Sequence, residues 1–431
     1  MGASLPDDYV PQALKTQKVQ SPITMRNWYK SVNRLHFFIF IATHGTTLVG
    51  PWFISCRPET ILFALAYGYL LGLGITAGYH RLWTHRSYNA SAPLQYILAV
   101  LGGGAAQSDI EWWCRQHRVH HRYTDTDLDP YNARQGFWFS HIGWILFKPR
   151  FQLGSADISD LRNDPVVQWQ RRNYWNIVVV VSVIIPGAIP WVCWAESLGA
   201  CIVYAVAARM CFLFHVTFSV NSFAHWLGET TYDDKHTPRD HFITALLTLG
   251  EGYHNFHHEF PMDYRNAVEW YQYDPTKWFI RLCQLLRLAS NLRVCPENEI
   301  RKSELTMQLK SLKEKQDGLI WPTSSSVLPV INWASHIVQE QSLKRPLIVI
   351  AGFIHDVSDF TDEHPGGREI LVRRIGKDAT AAFFGGVYDH SNAANNLLAM
   401  KRVGVLHGGV QPGSEERSTP PSQRLRIFGT R

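Results

Sequence analysis

Nine histidines stand in three tight groups and one single position, with a spacing that suits metal binding. The groups are HRLWTH, HRVHH and HNFHH, and the single histidine ends NSFAH. The nine are His80, His85, His117, His120, His121, His225, His254, His257 and His258, and Asn221 lies one helical turn before His225. Residues three and four apart share a helix face, and neutral imidazole binds iron and other first-row metals. The pattern therefore predicts imidazoles gathered around a metal pair.

Each histidine alone would be read as a surface residue in a loop near a membrane, but nine in spaced groups would not. Glu251 precedes His254 at the ExxH spacing of ferritin-like sites, which use such a pair on two helices together with further glutamates. Only one such pair occurs among the histidine groups. We therefore expect Glu251 to lie outside the ligand set, with support of a ligand imidazole as an alternative role.

The composition indicates a membrane protein. Of 431 residues, 46% are hydrophobic and only 18% are charged, below the usual quarter. The net charge of +6 comes without any dense run of Lys or Arg, so the chain is not expected to bind nucleic acid. The 7 cysteines form no CxxC pair, which favours reduced, buried thiols over a disulfide framework.

Four apolar stretches approach the roughly 20 residues that cross a bilayer as a helix. They cover about 35–55, 60–79, 174–194 and 197–220, and short loops join them into two hairpins. Ala92–Ala106 is apolar but too short to span. Lys and Arg concentrate before the first stretch and in the loop 80–173, so the positive-inside rule places both termini and every histidine group in the cytosol. The fold class predicted is an all-α membrane protein with a cytosolic histidine-rich cap.

The rest of the chain divides by composition. Residues 1–25 form a polar N-terminal segment and 26–300 the membrane domain. Residues 301–330 begin charged and become rich in Gly, Pro and Ser, which indicates a linker. A compact soluble domain fits 331–408. The Pro, Ser, Gly and Arg content of 409–431 predicts a disordered tail.

The C-terminal domain carries a second pair of histidines with a different chemistry. LIVI suggests a strand, and HPGG forms a tight turn that can hold the His364 imidazole still. His390 follows 26 residues later, with Phe383, Phe384 and Val387 between them as apolar pocket candidates. Two imidazoles on opposite faces of a haem leave no open position, so such a site transfers electrons without binding oxygen. HPGG alone could also be only a turn.

These motifs carry a clear resemblance. HRLWTHRSY, HRVHHRYTDTDLDPYNA, NSFAHW and GEGYHNFHHEFPMDYRNA resemble the membrane acyl-CoA Δ9 desaturases, the stearoyl-CoA desaturase family in its fungal form, over most of 26–300. Residues 330–408 resemble cytochrome b5, a small α+β haem domain. The resemblance implies two irons held by the nine histidines, with Asn221 acting through water, and haem b held by His364 and His390.

The implied reaction inserts a cis-Δ9 double bond into a saturated acyl-CoA such as stearoyl- or palmitoyl-CoA, with O2 as co-substrate. Its electrons would come from NADH through a separate cytochrome b5 reductase and the fused haem domain, which tethering holds at high effective concentration. The resemblance also implies a multi-pass protein of the endoplasmic reticulum membrane that acts in unsaturated fatty acid biosynthesis.

The resemblance also implies substrate contacts. Gln107, Trp113 and Thr217 match positions that bend the acyl chain, although Thr217 and Trp113 would also serve simple helix packing. Arg115 matches a CoA contact, but Gln116 stands where the family commonly has Asp. Tyr67, Leu70 and Leu71 are the candidates for the tunnel end, whereas His36, His44 and His215 are expected to pack or line the channel.

Two alternatives stay open from the residues alone. Within the same chemistry, a related histidine-box lipid hydroxylase or sphingolipid desaturase would share the metal motifs. In another class, a membrane haem electron carrier or metal transporter would need ionisable residues inside the spans. Arg209 and the histidines of the spans are the features that would support it.

Overall fold

The computed structural model describes residues 23–24, 26–334, 345–385, 390–408 and 424–425. The predicted N-terminal segment 1–25 and tail 409–431 therefore lie almost wholly outside the described residues. The chain divides into two compact units, Met1–Met307 and Gln308–Arg431. The first is helical, and the second combines a four-stranded sheet with short helices.

In the part of the chain that the structure describes, the first unit is built from ten principal helices, the last of which continues into the second unit, with shorter turns between them. They are α1 (Arg34–Val49), α2 (Pro58–Thr84), α3 (Ala92–Gly104), α4 (Ile110–Tyr123), α5 (Pro165–Trp194), α6 (Leu198–Trp226), α7 (Phe242–Leu247), α8 (His254–Glu259), α9 (Pro275–Leu285) and α10 (Glu297–Asp317). The shorter helical segments are Trp28–Ser31, Gly50–Trp52, Ala133–Gln135, Phe139–Gly143, Trp144–Leu146 and Ser159–Asn163. Two short strands, β1 (Asn89–Ala90) and β2 (Ala289–Ser290), pair antiparallel.

Within the described residues, three helices are long and apolar enough to cross a membrane: α2, α5 and α6. They contain the second, third and fourth predicted spans. The first predicted span corresponds to α1, whose 16 residues rise only about 24 Å, against a hydrocarbon core of about 30 Å. Large apolar side chains still face outward on these helices, including Phe38 and Leu62 at 71% exposure each, as expected for contact with lipid.

Helices α2 and α3 approach each other at two glycines. A Cβ built on Gly74 would lie 2.2 Å from the backbone nitrogen of Gly102, and one on Gly102 would lie 2.4 Å from the Tyr79 ring. Backbone atoms cannot yield as flexible side chains do, so the approach requires glycine at position 74. The contact also packs α3 against the segment of α2 that carries the first histidine group.

The second unit holds a mixed sheet in the order β3-β6-β5-β4. Its strands are β3 (Val330–Ile331), β4 (Leu347–Ile350), β5 (Phe353–Asp356) and β6 (Arg402–Leu406), and its helices are α11 (Arg368–Val372), α12 (Thr380–Phe384) and α13 (Asn392–Met400). β4 is the strand predicted from LIVI, and it is buried along its whole length. Ile348, Ile350 and Val357 form a core against which Phe383 and Leu398 pack.

The glycine contact leads to a first prediction. Gly74→Ala should lower the thermal unfolding midpoint of the full chain in detergent, because overpacking against backbone costs about 1–3 kcal/mol. Gly45→Ala in α1 is the matched control, since nothing lies within 4 Å of its Cβ and alanine improves helix propensity by about 0.5–1 kcal/mol. Equal midpoints for the two variants would contradict the close backbone contact between α2 and α3 at Gly74.

Candidate metal centre and substrate cavity

The fold brings all nine predicted histidines together in two adjacent groups. The first group contains His80, His85, His117, His121 and His257, and the second contains His120, His225, His254 and His258. Within each group, the ligand atoms lie within 4.8 Å of one another. Each HxxHH motif divides its histidines between the two groups, so α4 and α8 each contribute to both.

A π-helical segment at the end of α2 explains the five-residue spacing of HRLWTH. Residues five apart on an α-helix point about 140° away from each other, which would separate His80 from His85. Here Gly74–Thr84 is π-helical, and the His85 N–H donates to the His80 carbonyl at 3.1 Å. This wider turn brings residues five apart to one side, and the two ring centroids lie 4.8 Å apart.

The ring nitrogens converge in a way that fits metal binding. Six pairs of Nε2 atoms lie 3.0–3.2 Å apart, including His80–His257, His257–His121 and His254–His225. Metal–nitrogen bonds of about 2.1 Å at right angles would place neighbouring donors about 3.0 Å apart, whereas a tetrahedral site would place them about 3.4 Å apart. The spacing therefore suits a metal of high coordination number better than tetrahedral zinc.

Carboxylates fix which ring nitrogen points inward. The Nδ1–H of His80 donates to Glu251 at 2.7 Å, and that of His120 donates to Asp129 at 2.9 Å. A neutral imidazole with its proton on Nδ1 has a bare lone pair on Nε2, so His80 and His120 present lone pairs towards the centre of the two groups. A bound cation would accept these lone pairs, and the residues present fit a metal pair.

Two further ligand imidazoles are held by hydroxyl groups. The Tyr131 oxygen lies 2.9 Å from Nδ1 of His117. Thr237 donates its hydroxyl proton to Asp125 at 2.6 Å, so its oxygen accepts from Nδ1 of His225 at 2.8 Å.

The sequence prediction left these supporting residues unassigned, apart from the alternative role given to Glu251. A signal was present: the acidic run in HRVHHRYTDTDLD follows the ligand motif directly. Carboxylates so close to ligand histidines are the partners that commonly orient them.

A buried ion network anchors Glu251 in turn. Arg81, 1% exposed, donates to Glu251 at 2.9 Å and to Asp274 at 3.0 Å, and Asn266 donates to Glu251 at 2.6 Å. Burial alone would raise the pKa of Glu251, but the neighbouring His80 and Arg81 hold it at about 2. Glu251 is therefore a permanent carboxylate that keeps the proton of His80 on Nδ1.

Six of the candidate ligand histidines that lie outside the membrane-crossing helices have a lowered pKa. Burial, reinforced by neighbouring imidazoles, holds the pKa of these side chains well below the ordinary value: His85, His117, His121, His254, His257 and His258. Neutral imidazole is the form that ligates metals. These six imidazoles are thus ready to bind a metal without first losing a proton.

An apolar cavity runs beside the centre. His80, His117 and His254 reach its wall, as does Asn221. Gln107 donates to Thr217 at 2.8 Å, and both line the cavity with Trp113. The three residues predicted to bend an acyl chain therefore all line this cavity. This is the shape of a site that holds a long apolar substrate against a metal centre.

The other residues predicted to contact the substrate do not line this cavity. Arg115 lies outside this cavity, in a separate polar depression that also includes Arg162 and Ser159, and Gln116 reaches both. Tyr67, Leu70 and Leu71 do not belong to the described lining, whereas Tyr69 and Gly72 do. The reason is helix phase: Tyr67 bonds the Val181 carbonyl and Leu70 faces outward.

The second unit contains the predicted haem pair. The Nδ1 of His390 lies 2.9 Å from the Phe383 carbonyl, and the Nδ1 of His364 lies 3.3 Å from that of Gly367. A carbonyl at Nδ1 selects the tautomer in which Nε2 binds metal. Phe383 stacks on His390 with ring centroids 4.1 Å apart. These residues fit a haem. Val387, which was also predicted to line the haem pocket, lies outside the described residues.

Comparison with known proteins agrees with both units. The sequence profile of the fatty acid desaturase family matches residues 58–284, and that of the cytochrome b5-like heme/steroid binding domain matches 334–407. The "Probable acyl-CoA desaturase" of Schizosaccharomyces pombe is 46% identical over 91% of this chain and 81% of that protein. "Acyl-CoA desaturase 1" of Saccharomyces cerevisiae is 41% identical over 90% and 76%, respectively.

A relative whose name gives a different bond position also matches. The "Acyl-CoA Delta12-desaturase" of Acheta domesticus is 41% identical over 61% of this chain and 75% of that protein. The family implies iron, an acyl-CoA substrate and a membrane, and the second domain implies haem. This chain therefore belongs to the fatty acid desaturase family, as a membrane-bound acyl-CoA desaturase that carries its own cytochrome b5 domain.

Proposed function

We propose that this enzyme is a Δ9 desaturase that inserts a cis double bond into saturated fatty acyl-CoA, with two non-haem irons and O2. The observation that carries the proposal is the cluster of nine imidazoles beside an apolar cavity, whose wall includes His80, His117 and His254 together with the Gln107–Thr217 pair. Desaturation needs a strong oxidant held against one fixed carbon–carbon bond, and this arrangement supplies both requirements.

The nine histidines would hold the irons, five around one and four around the other. Asn221 would complete the smaller set through water, because it lines the cavity one turn before His225. Iron bound here would supply the oxidising power that breaks an unactivated C–H bond with O2. The chain's own part is to keep the ligand lone pairs inward through Glu251 and Asp129, and to keep bulk water out by burial.

Substrate would be held at both ends. The acyl chain would follow the cavity and bend at Gln107, Trp113 and Thr217, so that one bond faces the centre and a cis product results. Arg115 and Arg162 would bind the phosphates of CoA in the polar depression. Gln116 reaches both spaces, which suits the place where headgroup and acyl chain meet.

The membrane arrangement is also proposed. Four spans in two hairpins, with α1 as the first, would place both termini and the metal centre in the cytosol, at the endoplasmic reticulum membrane. Exposed Phe38 and Leu48 on α1 support its contact with lipid. We retain 26–300 as the membrane domain, 301–330 as the linker and 331–408 as the haem domain.

Electrons would come from NADH through a separate cytochrome b5 reductase. Haem b on His364 and His390 would supply the transfer between that reductase and the metal centre. Since haem domain and desaturase share one chain, the donor stays at an effective concentration that tethering sets, near millimolar for a short flexible linker.

The metal centre gives the second prediction. The purified chain should contain two non-haem irons, and His120→Ala or His257→Ala should lower iron content and abolish product while the haem spectrum persists. His407→Ala, at an exposed histidine outside the groups, is the matched control. Iron analysis and visible spectroscopy measure both quantities. Full iron content and turnover in His257→Ala would remove that residue from the site.

The haem domain gives the third. His390→Ala should abolish the six-coordinate b-type spectrum and leave the non-haem iron in place, because the two sites lie in different units. A chain ending near Gly318 should turn over only when separate cytochrome b5 is added. Undiminished activity of that shortened chain without a donor would contradict the intramolecular route.

Bond position gives the fourth prediction, and the Δ12 name of one relative shows that family membership alone leaves it open. Because CoA anchors the substrate, the double bond should stay at Δ9 when the acyl chain is two carbons longer or shorter. Mass spectrometry of derivatised lipids from a host without its own Δ9 desaturase measures this. A bond at constant distance from the methyl end would contradict CoA anchoring.

The same experiment tests the cavity end. A Cβ on Gly72 would meet Leu249 and Leu213 at 3.4 and 3.6 Å, so Gly72→Leu should fill this end and shift products to shorter chains without moving the bond. Leu70→Phe, on the outward face of α2, is the control and should leave chain length unchanged. Identical product lengths from Gly72→Leu would place the end elsewhere.

A further inference from the structure

A third cluster of metal-binding side chains lies apart from the nine histidines. His44 of α1 and Cys211 and His215 of α6 bring two imidazoles and one thiol within 4.8 Å of one another. Cys211 and His215 are four residues apart and so share one helix face. His215 lies ten residues before His225, which corresponds to about 15 Å along the helix. The cluster therefore lies well inside a membrane-crossing helix.

The two imidazoles are oriented as ligands usually are. His44 and His215 approach through their Nε2 atoms at 3.0 Å. Nδ1 of His44 lies 2.9 Å from the Phe40 carbonyl, and that of His215 lies 2.9 Å from Nε2 of His141. Ligand histidines typically donate their other ring N–H to such a partner. Since a carbonyl only accepts, the proton of neutral His44 is on Nδ1 and its Nε2 lone pair faces inward.

His141, which contacts His215, is itself held by Ser222. Nδ1 of buried His141 lies 2.8 Å from the hydroxyl oxygen of Ser222, which donates to the Phe218 carbonyl at 3.1 Å. With a cation bound between His44 and His215, every proton in this row has an acceptor: His215 donates to His141, His141 to Ser222, and Ser222 to Phe218. Without a cation, the row must reverse, so that His215 donates to His44.

The proposed desaturation does not use this cluster. The described lining of the acyl cavity includes Phe40, Phe214 and Phe218 but not His44, Cys211 or His215. Ionisable side chains inside a membrane helix are costly and usually mark a functional site. From the sequence, we expect His44 and His215 to pack or to line the channel. The fold instead brings them together with each other and with the Cys211 thiol.

Charge and ligand softness select the ion. Thiolate with imidazole suits Cu⁺ or Zn²⁺ rather than the hard cations. Neither α1 nor residues 209–226 contain an acidic residue. Cu⁺ with one thiolate is neutral, but Zn²⁺ would leave an uncompensated positive charge in a medium of low dielectric constant. We propose that His44, Cys211 and His215 form a binding site for monovalent copper that joins α1 to α6.

Such a link would act on the substrate cavity. Phe40 lines the cavity and packs on His44 with ring centroids 3.8 Å apart, while the next turns of α6 carry Phe214 and Thr217 in the same wall. An ion that ties the two helices together would hold these walls at one separation. The cluster is thus a place where copper could alter how the cavity admits its substrate.

The test uses the full-length, iron- and haem-loaded chain in detergent, kept anaerobic and reduced, and titrated with Cu⁺ against a chromogenic Cu⁺ chelator. Wild type should bind one tight equivalent, and its copper X-ray absorption spectrum should show one sulfur and two nitrogen neighbours. Cys211→Ser should weaken binding by at least about 100-fold, more than the 10–100-fold typical for loss of an orienting partner. His141→Ala should fall within that smaller range.

Cys193→Ser, at an exposed cysteine outside the cluster, is the control and should bind copper as wild type does. Unchanged iron content and haem spectrum confirm that each variant is folded. Equal copper binding by wild type and Cys211→Ser, or an absorption spectrum without sulfur, would overturn the site. Tight Zn²⁺ binding that depends on Cys211, with none for Cu⁺, would overturn the choice of metal.

Discussion

The orientation of the imidazoles around the proposed metal centre underlies the arrangement of the other elements. Two carboxylates, Glu251 and Asp129, hold the protons of His80 and His120 on the outward nitrogen, so their inward nitrogens carry lone pairs that a cation can accept. Glu251 is fixed in its turn by Arg81, which also pairs with Asp274. The surrounding fold thus sets which ring nitrogens face the centre.

Two helices that carry candidate metal-binding histidines also form part of the wall of the substrate cavity. Helix α6 carries Thr217, Asn221 and His225 at four-residue intervals, so one face presents a proposed bend residue, a cavity-lining amide and a proposed ligand. Helix α2 carries Gly72 and His80, which both reach the cavity wall. Because the proposed bend and ligand residues are fixed on common rigid helices, their separation cannot drift as it would on loops.

Other polar residues inside the membrane helices also have hydrogen-bond partners on neighbouring helices. Arg209, 2% exposed, donates to the carbonyl and hydroxyl oxygens of Ser182, and His44 and His215 meet across two helices. Buried polar groups in such an environment need partners on neighbouring helices. In the second unit, the Nδ1 atoms of the proposed haem ligands His364 and His390 lie beside backbone carbonyls.

Local sequence patterns were sufficient to predict the candidate metal-binding residue types, their spacing, the family and the two-part organisation, because these depend on short motifs and on HPGG with a following histidine. Three of the predicted spans correspond to long apolar helices, while the first corresponds to a shorter one. Gln107 and Thr217 were named as substrate contacts only through resemblance, and the hydrogen bond between them comes from the structure.

Helix packing, by contrast, sets how the nine histidines divide into five and four, since each HxxHH motif serves both groups. It also sets the π-helical turn that aligns His80 with His85, the contacts of Asp129 and Thr237 with candidate ligand imidazoles, and the position of Tyr69 rather than Tyr67 in the cavity lining. These features depend on helix phase and on contacts between residues distant along the chain. Local periodicity does not specify such contacts, because they exist only when the helices have packed.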